Sequence, residues 1–261
     1  MSESLSVVII SKNEEKNIEE CLKSVQWADE IVLVDDYSND RTVEIAERYT
    51  HRIIQREMEI EGKHRNFAYD QAQNRWILSL DADERVTPEL KKEIVDVLSN
   101  GTHFFGFTIP RKNFIGNYWV QHGGWYPSGQ LKLFQKEKFR YEEVEVHPRA
   151  FMNGPCGQLK SEIIHYSYRD FSDFLKKLDN QTTREAKKWF STGRKMRLGK
   201  ALWRTLDRFF RTYLVKKGYK DGVVGLVVAL FAGFYQILSY AKYWEMKREK
   251  PITGAESPCK K

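Results

Sequence analysis

The sequence predicts an α/β protein: a parallel sheet wrapped by helices, continued by a mixed sheet and a helical C-terminal appendage. Three observations carry this. Short apolar runs alternate with amphipathic segments through the first hundred residues, at the intervals of right-handed βαβ crossovers. Three of those runs end abruptly in polar or acidic residues. After Phe104 the pattern changes to alternating strands separated by glycine turns.

The elements follow in order. Residues 5–10 form a first buried strand that ends at Ser11-Lys12-Asn13-Glu14. Residues 15–25 read as a helix with Ile18, Cys21, Leu22 and Val25 on one face. Residues 30–34 are a second apolar strand running straight into Asp35 and Asp36. Helix 42–49, a short strand 51–55 and helix 63–73 follow, and then the run Trp76-Ile77-Leu78-Ser79-Leu80. Such a run makes a strand buried on both faces. It stops in Asp81-Ala82-Asp83-Glu84.

Parallel α/β sheets hold their ligands outside the carboxyl ends of their strands, so these acids are expected at the mouth of a crevice. Two carboxylates separated by one residue can reach one hard cation, whose shell is completed by water and phosphate. The plainer reading is an acidic lead into helix 88–98, with Thr87 as N-cap and Pro88 at the first helical position. It accounts for Glu84 and leaves Asp81 unexplained. For Asp35 and Asp36 the plainer reading is a solvated turn before a capped helix. A glycine-rich first turn and the P-loop pattern are both missing, which excludes the common dinucleotide and triphosphate sites.

Beyond residue 104, strands are expected at 104–110, 131–135, 144–151 and 162–164, the last closed by His165. Trp119, Trp125 and Tyr126 cluster among glycines, and aromatic faces suit sugar rings as well as they suit a core. On an extended strand Glu143, Glu145 and His147 share one face, turned either to solvent or to a site.

The 261 residues carry a net charge of +7, unevenly distributed. Residues 184–220 hold thirteen Lys and Arg against Glu185 and Asp207, which points to a polyanion or an anionic membrane as partner. Residues 195–217 read as one basic amphipathic helix, and residues 222–241 contain no charge at all. A helical hairpin half-sunk in the membrane surface is the expectation, with a bilayer span as the lesser option. No nucleic-acid signature accompanies the basic stretch, so nucleic acid is not expected as a partner. Three scattered cysteines suggest a reducing compartment, and the N-terminus has no secretory pattern.

Several stretches together resemble a known family. Val7-Val8-Ile9-Ile10-Ser11-Lys12-Asn13-Glu14, Ile31-Val32-Leu33-Val34-Asp35-Asp36-Tyr37-Ser38-Asn39-Asp40, Arg65-Asn66-Phe67-Ala68 and residues 76–84 resemble the inverting family 2 glycosyltransferases. Gly123-Gly124-Trp125-Tyr126-Pro127, Val146-His147-Pro148 and His165-Tyr166-Ser167-Tyr168-Arg169 resemble the bacterial branch that includes lipopolysaccharide inner-core β-glucosyltransferases.

The resemblance implies a GT-A, Rossmann-like nucleotide-sugar-binding domain over residues 1–170. Its nucleotide half would be 1–100 and its acceptor half 101–170. A membrane-associating helical region, 171–244, and a polar tail, 245–261, would follow. It implies a nucleotide-sugar donor, a UDP-sugar first of all, contacted by Lys12, Asn13, Glu14, Asp35, Asp36, Arg65, Asp81 and Ala82. Asp83, with His165, would hold a divalent cation, Mg²⁺ or Mn²⁺. Glu145 is the preferred catalytic base, with Glu143 second and His147 beside them. Trp125, Tyr126 and Arg149 would bind a lipid-linked saccharide acceptor. Where related sequences carry a glutamate after the histidine, this chain has Pro148, so no such glutamate can act here. The implied location is the cytoplasmic face of a bacterial inner membrane, peripheral or monotopic. The rivals are transfer to a polyprenyl phosphate and a non-catalytic nucleotide-sugar or membrane scaffold.

Overall fold

The structure, a computed structural model, describes residues 3–144 and 149–248. They divide into two compact units, Met1–Phe171 and Ser172–Lys261.

The first unit opens with β1 (Leu5–Ser11), α1 (Ile18–Val25), β2 (Glu30–Asp35), α2 (Thr42–Ala46), β3 (Ile53–Gln55) and α3 (Glu61–Asp70). It continues through β4 (Trp76–Asp81), β5 (Glu84–Val86), α4 (Pro88–Asn100), β6 (Gly106–Ile109), β7 (Arg111–Ile115) and β8 (Tyr118–Trp119). The remaining strands are β9 (Gln130–Gln135), β10 (Phe139–Tyr141), β11 (Ala150–Met152), β12 (Cys156–Gln158) and β13 (Ile163–Tyr168).

A seven-stranded sheet runs in the order β12-β6-β9-β4-β1-β2-β3, with β5-β13-β7-β8 forming a second sheet and β10-β11 a hairpin. Strands β1 to β4 are mutually parallel, and β9 is antiparallel to both β4 and β6. This is the mixed α/β sheet that the sequence predicts. Alternation sorts β1 between two cores. Leu5, Val7 and Ile9 pack with Leu22, Val25, Leu90 and Ile94 from α1 and α4. Val8 packs with Ala68 and Tyr69 of α3 on the other face. Cys21 is one of the α1 packing groups, and burial pushes its thiol up to about 12.

Register aligns the strand ends. Ser11 stands opposite Asp35, and Ile10 opposite Asp81. The acids at the ends of β2 and β4 therefore share one edge, with β1 between them.

Several boundaries differ from the sequence reading. Helix α1 begins at Ile18 because the preceding amides are taken up elsewhere. Glu14 N–H donates to Thr42 Oγ1 and Glu15 N–H to Asp40 Oδ2. Glu84 does not belong to the first turn of α4. It starts β5, four residues before Pro88, while Thr87 does cap α4 by accepting from Leu90 N–H at 3.1 Å. The expected strand 144–151 is not continuous: β10 ends at Tyr141, Glu142 N–H donates to Arg149 O, and β11 starts at Ala150. Glu143 and Val144 lie outside any strand, and the other two residues of the expected face, Glu145 and His147, lie outside the described residues. His165 sits inside β13 rather than closing a strand.

In the C-terminal region lie α5 (Phe171–Ser191), α6 (Leu198–Phe210) and α7 (Gly222–Arg248). The single helix expected over 195–217 stops at Phe210 and gives way to a π-helical turn, Arg211–Val215. Helices α6 and α7 form an antiparallel pair at glycines. A Cβ on Gly233 would come within 2.9 Å of the Thr205 carbonyl oxygen, and one on Gly225 within 1.8 Å of that of Gly218.

Candidate active site

The edge where β1, β2 and β4 end forms a cleft lined by Ile10, Ser11, Lys12, Glu14, Asp36, Met58, Asp81, Ala82 and Asp83. Lys12, Glu14, Asp36, Asp81, Ala82 and Asp83, from three separate stretches of sequence, are thus brought together.

At one end, Asp36 accepts from Lys12 Nζ at 2.7 Å and from Met58 N–H at 3.0 Å. Burial alone would raise its carboxyl, but these donors outweigh burial and hold it below the usual carboxylate range. Asp35 departs from its expected role. It is 0% exposed, and its oxygens accept from Ser11 Oγ, Ser38 N–H and Ser38 Oγ at 2.6–2.8 Å. Asp35 fixes the turn that presents Asp36. Asn13, with φ of 55°, likewise ties its loop by accepting from Asn39 N–H and donating N–H to Ser38 Oγ. Glu14 accepts from Asn17 Nδ2 at 2.7 Å.

At the β4 end the two aspartates differ sharply. Asp81 Oδ1 accepts from Arg65 Nη2 at 2.9 Å and Oδ2 from Lys132 Nζ at 3.1 Å. Burial opposes its ionisation, yet Arg65 and then Lys132 hold its carboxyl far below the usual range. Its side chain remains 29% exposed, so lone pairs are still open to a hydroxyl donor from the cleft. Beneath it, Glu84 is 0% exposed and accepts from Lys132 Nζ at 2.7 Å and from Asp81 N–H at 2.9 Å. Arg111 Nη1 lies 3.5 Å from the other Glu84 oxygen. Buried charges persist only when paired and hydrogen-bonded, and this cluster meets both conditions.

Asp83 has no such cations. Its Oδ1 is buried and no described residue donates to it. Its Oδ2 lies 3.5 Å from His165 Nε2. The imidazole is set from behind. Asn113 Nδ2 donates to the Trp125 carbonyl at 2.7 Å and to Ser128 Oγ at 2.9 Å, which turns Asn113 Oδ1 to His165 Nδ1 at 2.7 Å. Asn113 Oδ1, with Ser167 Oγ at 3.0 Å, holds the Nδ1 side of the ring and turns Nε2 toward Asp83. A carboxylate oxygen with no donor among the described residues and an imidazole nitrogen beside it are ligand types that suit a divalent cation. Among the described residues no group of three or more His, Cys, Asp or Glu could hold a metal alone. The residues therefore suit a cation that brings further oxygen ligands with its substrate.

The other expected residues are placed as follows. Arg65 joins Asp81 to Glu61. Glu143, exposed at the tip of the β10–β11 hairpin, accepts from Asn66 Nδ2 at 3.3 Å. Glu145 and His147 lie outside the described residues. Arg149 is exposed at the loop end of the same hairpin, its carbonyl accepting from Glu142 N–H. Trp125 carries the carbonyl that orients Asn113, and its ring lies 5.9 Å from that of Tyr168. Tyr126 donates to Glu162 at 2.5 Å and meets Trp119 edge-on.

Sequence reading missed Lys132, Glu84 as a buried acid, Asn113 and Met58. Lys132 had a signal: a lysine between Leu131 and Leu133 in a strand, 3% exposed. A charge there requires a buried partner.

The family model described as "Glycosyl transferase family 2" matches residues 6–154. The chain is 24% identical over 248 residues to the lipopolysaccharide core biosynthesis glycosyltransferase LpsC of Rhizobium meliloti, covering 92% of each. It is 34% identical over 100 residues to the poly(ribitol-phosphate) β-N-acetylglucosaminyltransferase TarS of Staphylococcus aureus, covering 34% of this chain and 18% of TarS. The crystal structure of S. aureus TarS 1-349 in complex with UDP superposes with a TM-score of 0.49 at 18% identity, covering 94% of this chain and 91% of that one.

Proposed function

The chain belongs to glycosyl transferase family 2, and on that premise we propose that it is a cation-dependent inverting enzyme. It would move a sugar from a UDP-sugar to a lipid-linked glycan such as a lipopolysaccharide inner core. The observation that carries this reading is the contrast at the end of β4: Asp81 held between Arg65 and Lys132, Asp83 beside His165 with one oxygen that no described residue donates to. The likeness to LpsC across nearly the whole chain supports the choice of acceptor class.

Inverting transfer is one in-line displacement. The acceptor oxygen bonds to the anomeric carbon as the bond from that carbon to the diphosphate breaks, and a carboxylate takes the acceptor's hydroxyl proton. Asp36 and Lys12 are the proposed nucleoside contacts, and Asp81 would receive sugar or ribose hydroxyls. Asp83 and His165 would hold Mg²⁺ or Mn²⁺, which when bound neutralises charge on the departing diphosphate. Glu145 is the proposed base and Glu143 the second candidate. Trp125, Tyr126 and Arg149 are the proposed acceptor contacts. The basic C-terminal helices would hold the enzyme on an anionic membrane, at the cytoplasmic face of a bacterial inner membrane.

The test is turnover of a UDP-sugar panel with and without EDTA, repeated for Glu145→Gln and Glu143→Gln. Loss of turnover with EDTA and in one glutamine variant is expected. Metal-indifferent turnover overturns the cation assignment. Full activity in both variants overturns the base assignment and favours a phosphate acceptor, which needs no base.

A further inference from the structure

The helix pair α6–α7 carries charge, exposure and packing that the transfer reaction does not use. Helix α6 has three sectors. Thr205 lies on the side packed against α7, where Gly233 meets Thr205 and Phe209, and Ala201 on the same side is buried. Leu198, Leu202, Leu206 and Phe210, four residues apart, form an exposed apolar stripe, bordered by Trp203 at 64% exposure. Lys200, Arg204, Arg208 and Arg211 occupy the third sector. Helix α7 has its own exposed apolar stripe, Val223, Leu226, Leu230 and Phe234. By α-helical geometry both stripes emerge about a quarter-turn to the same side of the line joining the two axes. The pair therefore presents one continuous apolar face.

We propose that α6 and α7 lie flat in the headgroup region of an anionic bilayer, apolar face down, and that α7 does not span it. The inference deepens the membrane association proposed above and rests on it. Length and hydropathy alone would let Gly218–Arg248 cross a membrane. Packing argues otherwise. The contact of Gly233 with Thr205 and Phe209 sets α6 alongside the middle of α7's uncharged stretch. A spanning α7 would carry Arg204, Asp207 and Arg208 to the centre of the hydrocarbon, where charged side chains are strongly disfavoured. The turn between the helices holds Lys216, Lys217 and Lys220, all exposed, and would have to cross first. In the interface the same residues meet anionic headgroups, and the leucines and phenylalanines enter the acyl boundary.

The test uses the full-length protein and preformed vesicles. Flotation should show binding to phosphatidylglycerol–phosphatidylcholine vesicles at least about tenfold tighter than to phosphatidylcholine alone. Leu202→Glu with Leu206→Glu should weaken it by about tenfold or more. Arg208→Glu with Arg211→Glu should reduce the preference for phosphatidylglycerol. Topology is read with V215C, at a site 75% exposed in the turn, in a chain carrying C156S and C259S. A membrane-impermeant maleimide added outside should label it fully before permeabilisation. Protection until permeabilisation, or binding that ignores both lipid charge and the leucine substitutions, overturns the inference. Nucleotide binding is measured separately by calorimetry. A protein that binds vesicles as expected but turns over no UDP-sugar keeps this inference and loses the catalytic one.

Discussion

Asn113 Oδ1 lies 2.7 Å from His165 Nδ1, and the same amide's nitrogen is held by the Trp125 carbonyl. The orientation of one side-chain amide thereby determines which imidazole nitrogen faces Asp83. A residue that supports a metal ligand in this way typically contributes about 10–100-fold to metal affinity. Asn113→Ala is expected to weaken Mn²⁺ binding by that order, measured by calorimetry in the presence of UDP. Metal-free UDP binding should be little changed.

The two aspartates should separate experimentally. Asp83→Asn is expected to remove cation-dependent UDP binding while leaving the melting temperature close to that of the parent. Asp81→Asn leaves Arg65 and Lys132 facing a neutral amide and should lower the melting temperature as well. Equal melting temperatures for the two variants would contradict the charge cluster as described.

Lys132, at 2.7 Å, is the nearer of two cations that compensate the fully buried Glu84. Lys132→Met strands Glu84 and should cost about 3–5 kcal/mol in urea unfolding. Adding Glu84→Leu to Lys132→Met should recover much of that loss, because the buried charge goes with its partner.

His64 is 2% exposed and neither ring nitrogen has a partner among the described residues. Burial, its largest influence, lowers its pKa from 6.5, opposed by Asp36. The unfolded chain therefore takes up a proton near pH 6.5 that the folded protein refuses until lower pH. Stability is full above that value and falls as pH decreases through the window beneath it. Asp36 and Asp81, with depressed pKa values, add their own losses only below the unfolded carboxylate range, about pH 4. His64→Gln should flatten the melting temperature in the window beneath pH 6.5 and leave the acid limb below about pH 4 intact.

Much of this was legible in the chain because it rests on periodicity. The runs 5–10, 30–34 and 76–80 became β1, β2 and β4, and their acidic ends met at one edge because parallel strands in register leave no other arrangement. What periodicity does not encode is how neighbouring carboxylates divide their partners. Asp35 and Asp36 look alike in sequence, yet Ser11 and Ser38 draw one inward and Lys12 and Met58 hold the other at the cleft. Glu84 read as an acidic lead into a helix because its partner, Lys132, is 48 residues away. Asn113 gave no signal at all, since a lone asparagine in a strand becomes meaningful only when His165 is folded against it. Of the strand expected at 144–151, the described part that forms is its end, where Ala150 and Phe151 pair with Tyr141 and Arg140.

The alignment of Asp35 and Asp81 across β1 also works as a ruler. Their strands flank a single intervening strand, so the two ends of the cleft stand roughly 9–10 Å apart, twice the spacing of neighbouring strands. That interval belongs to backbone hydrogen bonding, not to mobile loops, and no side-chain replacement can stretch it. Replacing Asp36 or Asp81 changes the chemistry at one end of the cleft and leaves the distance between its ends as it is.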